Sequence, residues 1–170
     1  MPNNSPSFTV LELLESQHTE VDELIEQLEQ GTGDRAALFG ELADKLAAHS
    51  TVEEKIFYPA VMQSKTSALL HESVEEHLAM KRVLADMLDL DPNAHGDEFN
   101  EQLASLKEKV THHAHEEEEG KLFPIVRSSM SEDELAGLGN EVLVMFEALM
   151  QEEPRHNVPE ETYEPAPLPG

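Results

Sequence analysis

Two histidine–glutamate pairs, His49 with Glu53 and His113 with Glu117, each four residues apart, carry the clearest chemistry in this chain. A single histidine stands upstream of each pair, His18 and His77, so the pattern His, then His-x-x-x-Glu, is written twice. In an α-helix, residues i and i+4 share one face, about one turn apart. Each pair therefore offers an imidazole nitrogen and a carboxylate in one direction. Helices facing a common centre would gather these groups into a nitrogen-and-oxygen cage suited to iron, manganese or zinc. Structural zinc wants four ligands around one ion. Six ligands, two of them carboxylates able to bridge, suit two six-coordinate ions with open positions, and redox usefulness favours iron.

The elements that must hold these groups read as helices, because apolar residues recur at helical spacing through most of the chain. The stretch 10–29 carries Val10, Leu14, Val21, Leu24, Ile25 and Leu28 on one stripe, and the glycines at 31 and 33 stop it. A second helix is expected from Asp34, with Leu38, Leu42, Leu46, His49 and Glu53 in line, kinked or ended by Pro59. A third spans 67–90, and a fourth starts near Asp97 with Leu103, Leu106, Val110, His113 and Glu117 in phase. A fifth begins near Glu132, where Ser131 and Glu134 stand at capping-box spacing. Residues 153–170, rich in proline and polar groups, read as an irregular tail. No period-two segment stands out, so the expected class is all-α. The segment HSTVEEKIFYP (49–59) resembles HAHEEEEGKLFP (113–124), which suggests two similar hairpins forming a four-helix bundle with its site inside. The bundle covers about 9–130 and, with an additional C-terminal helix over about 132–152, forms one domain, 1–152.

All four histidines fall on apolar stripes. His18 lies between Leu14 and Val21, His77 between Val74 and Met80, His49 continues Leu42 and Leu46, and His113 continues Leu106 and Val110. Burying an unpaired carboxylate costs several kcal/mol, so Glu53 and Glu117 need a compensating charge. None of the 11 Lys and Arg residues falls beside them on the inner stripe, and a metal pair answers the need. His71, His95, His112, His115 and His156 read as solvated, and Glu116 and Glu119 as an acidic outer face. The second carboxylate has two readings, because His113 to Pro124 is one residue longer than His49 to Pro59. Counting forward from His113 selects Glu117; counting back from Pro124 selects Glu118. Glu117 is the expected ligand, with a helix bulge near Gly120.

A chain of 170 residues is long enough for one well-cored domain. It contains no cysteine, which removes disulfides, thiolate zinc sites, iron–sulfur clusters and cysteine nucleophiles and fits a reducing, cytoplasmic setting. The formal charge of −25 argues against nucleic acid and anionic membranes as partners. No apolar run approaches the roughly 20 residues of a membrane span, and the polar start MPNNSPSF does not read as a signal peptide.

The stretches around His18 (ESQHTEVDELI), His49 and Glu53 (AHSTVEEKIFYP), His77 (EEHLAMKRVL), and His113 and Glu117 (THHAHEEEEGKLFP) resemble the HHE cation-binding family of hemerythrin-like proteins. The resemblance implies an up-and-down four-helix bundle around a non-haem di-iron centre. In it Glu53 and Glu117 would bridge two Fe ions beside an oxo or hydroxo group, with His18, His49, His77 and His113 as terminal ligands. Oxygen-carrying members have a further histidine one turn before the third-helix ligand, where this chain has Ser73. The position this leaves open would be filled by water or by a side chain such as Tyr58, which weakens the case for reversible oxygen carriage. The expected function is binding of, or response to, O2, peroxide (H2O2) or nitric oxide (NO), with an unidentified redox partner. The alternatives are a di-iron peroxidase, catalase-like or NO-reducing enzyme, and an iron-sensing or iron-storage module. Leu46, Met80 and Leu84 are expected to line an apolar pocket beside the metals.

Overall fold

A computed structural model describes residues 8–169, and every described element is helical. The polar start at residues 1–7, read above as no signal peptide, lies outside the described residues. Helix α1 (Val10–Gln30) opens on a capping box in which Thr9 and Glu12 satisfy each other's backbone N–H groups. It closes on Gly31, whose φ of 70° lies in the left-handed region that glycine enters without strain. Asp34 caps α2 (Arg35–Val52), and the capping box Ser131–Glu134 starts α7 (Glu132–Gln151), both as the sequence indicates. Between them come α3 (Tyr58–Val61), α4 (Ser67–Leu88), α5 (Gly96–Thr111) and α6 (Phe123–Ser129). No helix among the described residues is long and apolar enough to cross a membrane.

Helix α1 packs on α2, and α4 on α5; contacts of α1 with α5 and of α2 with α4 join the two pairs into a helical bundle. Helix α7 covers α1 and α2. The interior divides into two apolar halves. One is built around Leu24, Leu28, Leu42, Phe99 and Leu106, the other around Leu11, Leu14, Phe57, Phe123 and Leu135. Each histidine read as a ligand stands at the seam between them. Leu14 and Val21 belong to opposite halves on either side of His18, and Leu46 and Val52 do the same around His49. Val74 and Met80 flank His77, and Val110 and Leu122 flank His113, in the same way. The polar groups thus form one layer across a bundle that is oily above and below.

The C-terminal segment differs from the irregular tail expected for it. A tight 3-10 helix, Pro154–Glu161, buries Val158 completely in the first apolar half. Arg155 fastens it to α2, with its backbone N–H and guanidinium donating to the two Asp44 carboxylate oxygens at 3.0 and 2.6 Å. Proline and charge dominate this stretch, so a single buried valine is a signal too small for a periodicity reading to catch.

Candidate metal centre

Two of the helices do not keep α geometry where they cross the seam. A π segment, Glu53–Phe57, separates α2 from α3, and a longer one, His112–Leu122, separates α5 from α6. Each ends two residues before a proline, Pro59 or Pro124, which has no backbone N–H to continue an α ladder. The wider turn bonds i to i+5: the Tyr58 N–H donates to the Glu53 carbonyl, and the Phe123 N–H to the Glu118 carbonyl.

That turn corrects the second carboxylate. In a π segment the residue on the face of His113 is five positions on, and this is Glu118. Glu118 is fully buried, with Oε1 3.1 Å from His18 Nε2 and 3.4 Å from His113 Nε2. Glu117, chosen on α phase, turns aside and accepts from Lys121 Nζ at 2.8 Å. The other five expected residues converge. Glu53 Oε1 lies 3.1 Å from His49 Nε2, 3.1 Å from His77 Nε2 and 3.7 Å from His113 Nε2. The side chains form two groups able to hold cations, His18–His49–Glu53–Glu118 and Glu53–His77–His113, joined at Glu53.

Each imidazole is held from behind. His18 Nδ1–H donates to Glu119 at 2.6 Å, His49 Nδ1–H to Gln17 at 2.6 Å, His77 Nδ1–H to Glu54 at 2.7 Å and His113 Nδ1–H to Glu76 at 2.8 Å. A carboxylate or amide oxygen can only accept, so the proton sits on Nδ1 and the Nε2 lone pair faces inward. These four braces escaped the sequence reading, which placed Glu119 on a solvated face. Their signal is adjacency: Gln17 precedes His18, Glu76 precedes His77, Glu54 follows Glu53 and Glu119 follows Glu118. Each holds a ring from a neighbouring element, so the braces close a circuit from α1 to α2, across to α4, on to the second π segment and back to α1.

The inward atoms need a cation. His77 Nε2 and His113 Nε2 are 3.0 Å apart. With both Nδ1 atoms protonated, two bare lone pairs would face each other. His49 Nε2 and Glu53 Oε2 are buried with no hydrogen-bond partner. Without metal, protons must supply the charge. Burial opposes the charged form of His18, but hydrogen bonds to Glu118 and Glu119 and the charges of Glu118 and Glu53 lift it to about 9. Burial likewise opposes charge on His113 and His77. The Glu118 charge with Glu53 and Glu76 bonds still raises the first, and Glu53 and Glu54 bonds the second. Burial would raise Glu53, yet the neighbouring His49, Glu118 and His113 hold it well below the usual carboxylate range. Nitrogen and oxygen donors with inward lone pairs and orphaned atoms fit a pair of transition-metal ions.

Tyr58 enters this layer beside Ser73. Its hydroxyl donates to Glu118 Oε2 at 2.6 Å and stands 3.2 Å from both Glu53 Oε1 and His77 Nε2. Burial, with Glu118 and Glu53 beside it, pushes this phenol well above its ordinary range and keeps it protonated in the metal-free protein. Counted back from the two prolines, Phe123 is the counterpart of Tyr58, and it stacks on His18 as Tyr58 stacks on His77. The two halves of the centre therefore differ by this hydroxyl and by one brace, the amide of Gln17 behind His49 standing where the carboxylate of Glu76 stands behind His113. A cavity of about 20 Å3 touches all four imidazoles and is walled by Val21, Leu46, Met80 and Val110; Leu84 lines a neighbouring one instead. His112 and His115 pair with surface carboxylates, Glu116 and Asp22 among them.

A protein from Nostoc sp. described as a DNA nickase is 25% identical over 134 residues, which cover 78% of this chain and 37% of the relative. The chain thus spans little more than a third of that relative's length. No solved structure matches it. The hemerythrin HHE cation-binding domain matches residues 9–126, from the cap of α1 to α6, and includes every residue of the polar layer. The chain belongs to the hemerythrin HHE cation-binding family.

Proposed function

We propose that this protein holds two iron ions in the bundle interior and uses them to bind or respond to O2, peroxide or NO. The supporting observation is the convergence of four Nε2 lone pairs on two shared carboxylates, with His77 and His113 nitrogens 3.0 Å apart. His18 and His49 would hold one ion, His77 and His113 the other with the Tyr58 hydroxyl beside it, and Glu53 and Glu118 would serve both. The helices would run up and down around them. Such a pair supplies two-electron redox chemistry when bound.

The chain's own residues set the conditions. Gln17, Glu54, Glu76 and Glu119 fix ring orientation and tautomer, which tightens metal binding. Val21, Leu46, Met80 and Val110 keep bulk water away. Tyr58 holds a proton against Glu118. A proton held there suits turnover of a bound ligand over simple carriage. The nicking of DNA named for the longer relative finds no support in a chain of net charge −25.

The test is anaerobic loading with ferrous iron, followed by metal counting and visible spectroscopy on exposure to O2, NO and H2O2. About two irons per chain and a spectral change with at least one of them are expected. Less than one iron per chain, or no spectral change with any of the three, would sink the reading.

A further inference from the structure

Three empty volumes lie in series between the C-terminal segment and the centre. The outermost is a cleft of about 520 Å3 between the surface of α2, the first π segment and α4, at Ala47, Glu54 and Lys81, and the 3-10 segment, at Asn157 and Glu161. Beneath it is a cavity of about 10 Å3 that Val158, alone of the 3-10 segment, lines. The third is the 20 Å3 cavity against the four imidazoles. Neighbours share walls: Ala47 and Lys81 separate cleft from middle cavity, and Leu46, Ser50 and Met80 separate the middle from the inner one.

We propose that this series is the entry path of a neutral diatomic molecule to the metal centre, and that the C-terminal segment closes it through Val158. The inference rests on the di-iron reading and narrows its ligand to O2 or NO. The inner cavity has the scale of one very small molecule, and the middle one lies at the lower bound for a water-sized one. Apart from Lys81 in the middle cavity and the imidazoles in the inner one, their walls are apolar, Leu46, Met80, Leu84 and Val158 among them, with Ser50 the one hydroxyl, so an ion would give up most of its hydration there. Peroxide, larger and a strong hydrogen-bonder, is poorly served by the same walls.

The gate is built to move locally. Val158 is fully buried, yet it rides on a short 3-10 segment rather than on a bundle helix. Over the path that segment is fastened by Lys81 to Glu161 at 3.8 Å, a long ion pair of the weak kind, and at its end by Arg82 Nε–H donating to the Thr162 carbonyl at 3.0 Å. Lys81 also donates to Glu54 at 3.2 Å, and Glu54 holds the His77 ring. Displacing the segment would thus open the path while the firmer Arg155–Asp44 anchor kept it on the protein.

The path is tested in two ways on the full chain. Stopped-flow mixing of NO with iron-loaded protein should show association roughly threefold or more faster in Val158→Ala and slowed in Ala47→Leu, which fills the middle cavity. Xenon-pressurised crystals of the metal-free protein should show xenon between Met80 and Val158. No xenon there overturns the path, and unchanged NO rates in Val158→Ala overturn the gate even if xenon enters. The xenon result needs no iron. It therefore decides the path even if native iron-loaded protein proves silent to NO, a result that would count against the di-iron reading instead.

Discussion

Glu117 and Glu118 are neighbours with opposite fates, which makes them a direct test of the centre. Glu118 is shared by His18, His113 and Tyr58, whereas Glu117 meets Lys121 at the surface edge. Glu118→Gln should reduce iron to about one ion per chain or less, because an amide cannot balance a second cation; Glu117→Gln should retain the native content. Elemental analysis of the two variants checks this, and equal loss in both would refute the assignment. Tyr58 makes a second residue-scale prediction. Tyr58→Phe removes a hydroxyl and leaves the ring stacked on His77, so iron content should hold while the visible spectrum of the oxidised protein changes. An unaltered spectrum would mean that the phenol does not reach the metals. Sequence patterning exposed the four inner histidines and Glu53 because each interrupts an apolar stripe. It missed the outer braces because Gln17, Glu54, Glu76 and Glu119 look like any polar residue on a helix until the facing element is in place.

At the scale of elements, the two π segments decide which side chains share a face. A reading with a 3.6-residue period treats every helix as α, so it fixes His49 with Glu53 but slips by one at His113. The spacing to Pro124 held the correction, since Glu53 and Glu118 both stand six residues before their proline. Deleting Gly120 would give the second copy the same histidine-to-proline spacing as the first. It would place Glu117 four residues after His113 and six before the proline, as Glu53 is placed in the first copy. In that background the sensitivity should transfer: Glu117→Gln should now lose metal and Glu118→Gln should not. Iron counts of the two double variants read the transfer, and continued dependence on Glu118 would show that the π turn does not set the register. The C-terminal segment was illegible for a different reason. Its contacts are long-range: Val158 buried in the first apolar half, Arg155 on Asp44 of α2, and Glu161 and Thr162 on Lys81 and Arg82 of α4. Arg155→Ala should cost about 2 kcal/mol by stranding a largely buried Asp44 carboxylate, and should speed protease cleavage within 153–163. Unchanged cleavage would mean that the segment is held by other contacts.

Across the whole molecule, two apolar halves are separated by a layer of ionisable groups, so metal and protons compete to neutralise the same interior. In the metal-free protein His18 is raised from 6.5 to about 9, and His77 and His113 are raised as well. A base whose folded value is raised adds stability that is complete below its unfolded value and lost as pH rises through the folded one. For His18 that window runs from 6.5 to about 9. The metal-free protein should therefore weaken steadily across it. Metal-loaded protein behaves oppositely, because ligation requires neutral imidazoles and each proton removed favours the ion. The difference in melting temperature between loaded and metal-free protein should accordingly widen from pH 6.5 to 9 and narrow below 6.5. Scanning calorimetry of both forms, with excess metal removed from the loaded sample, measures that difference directly. A gap independent of pH would mean that the imidazoles facing the seam are not the groups that hold the metal.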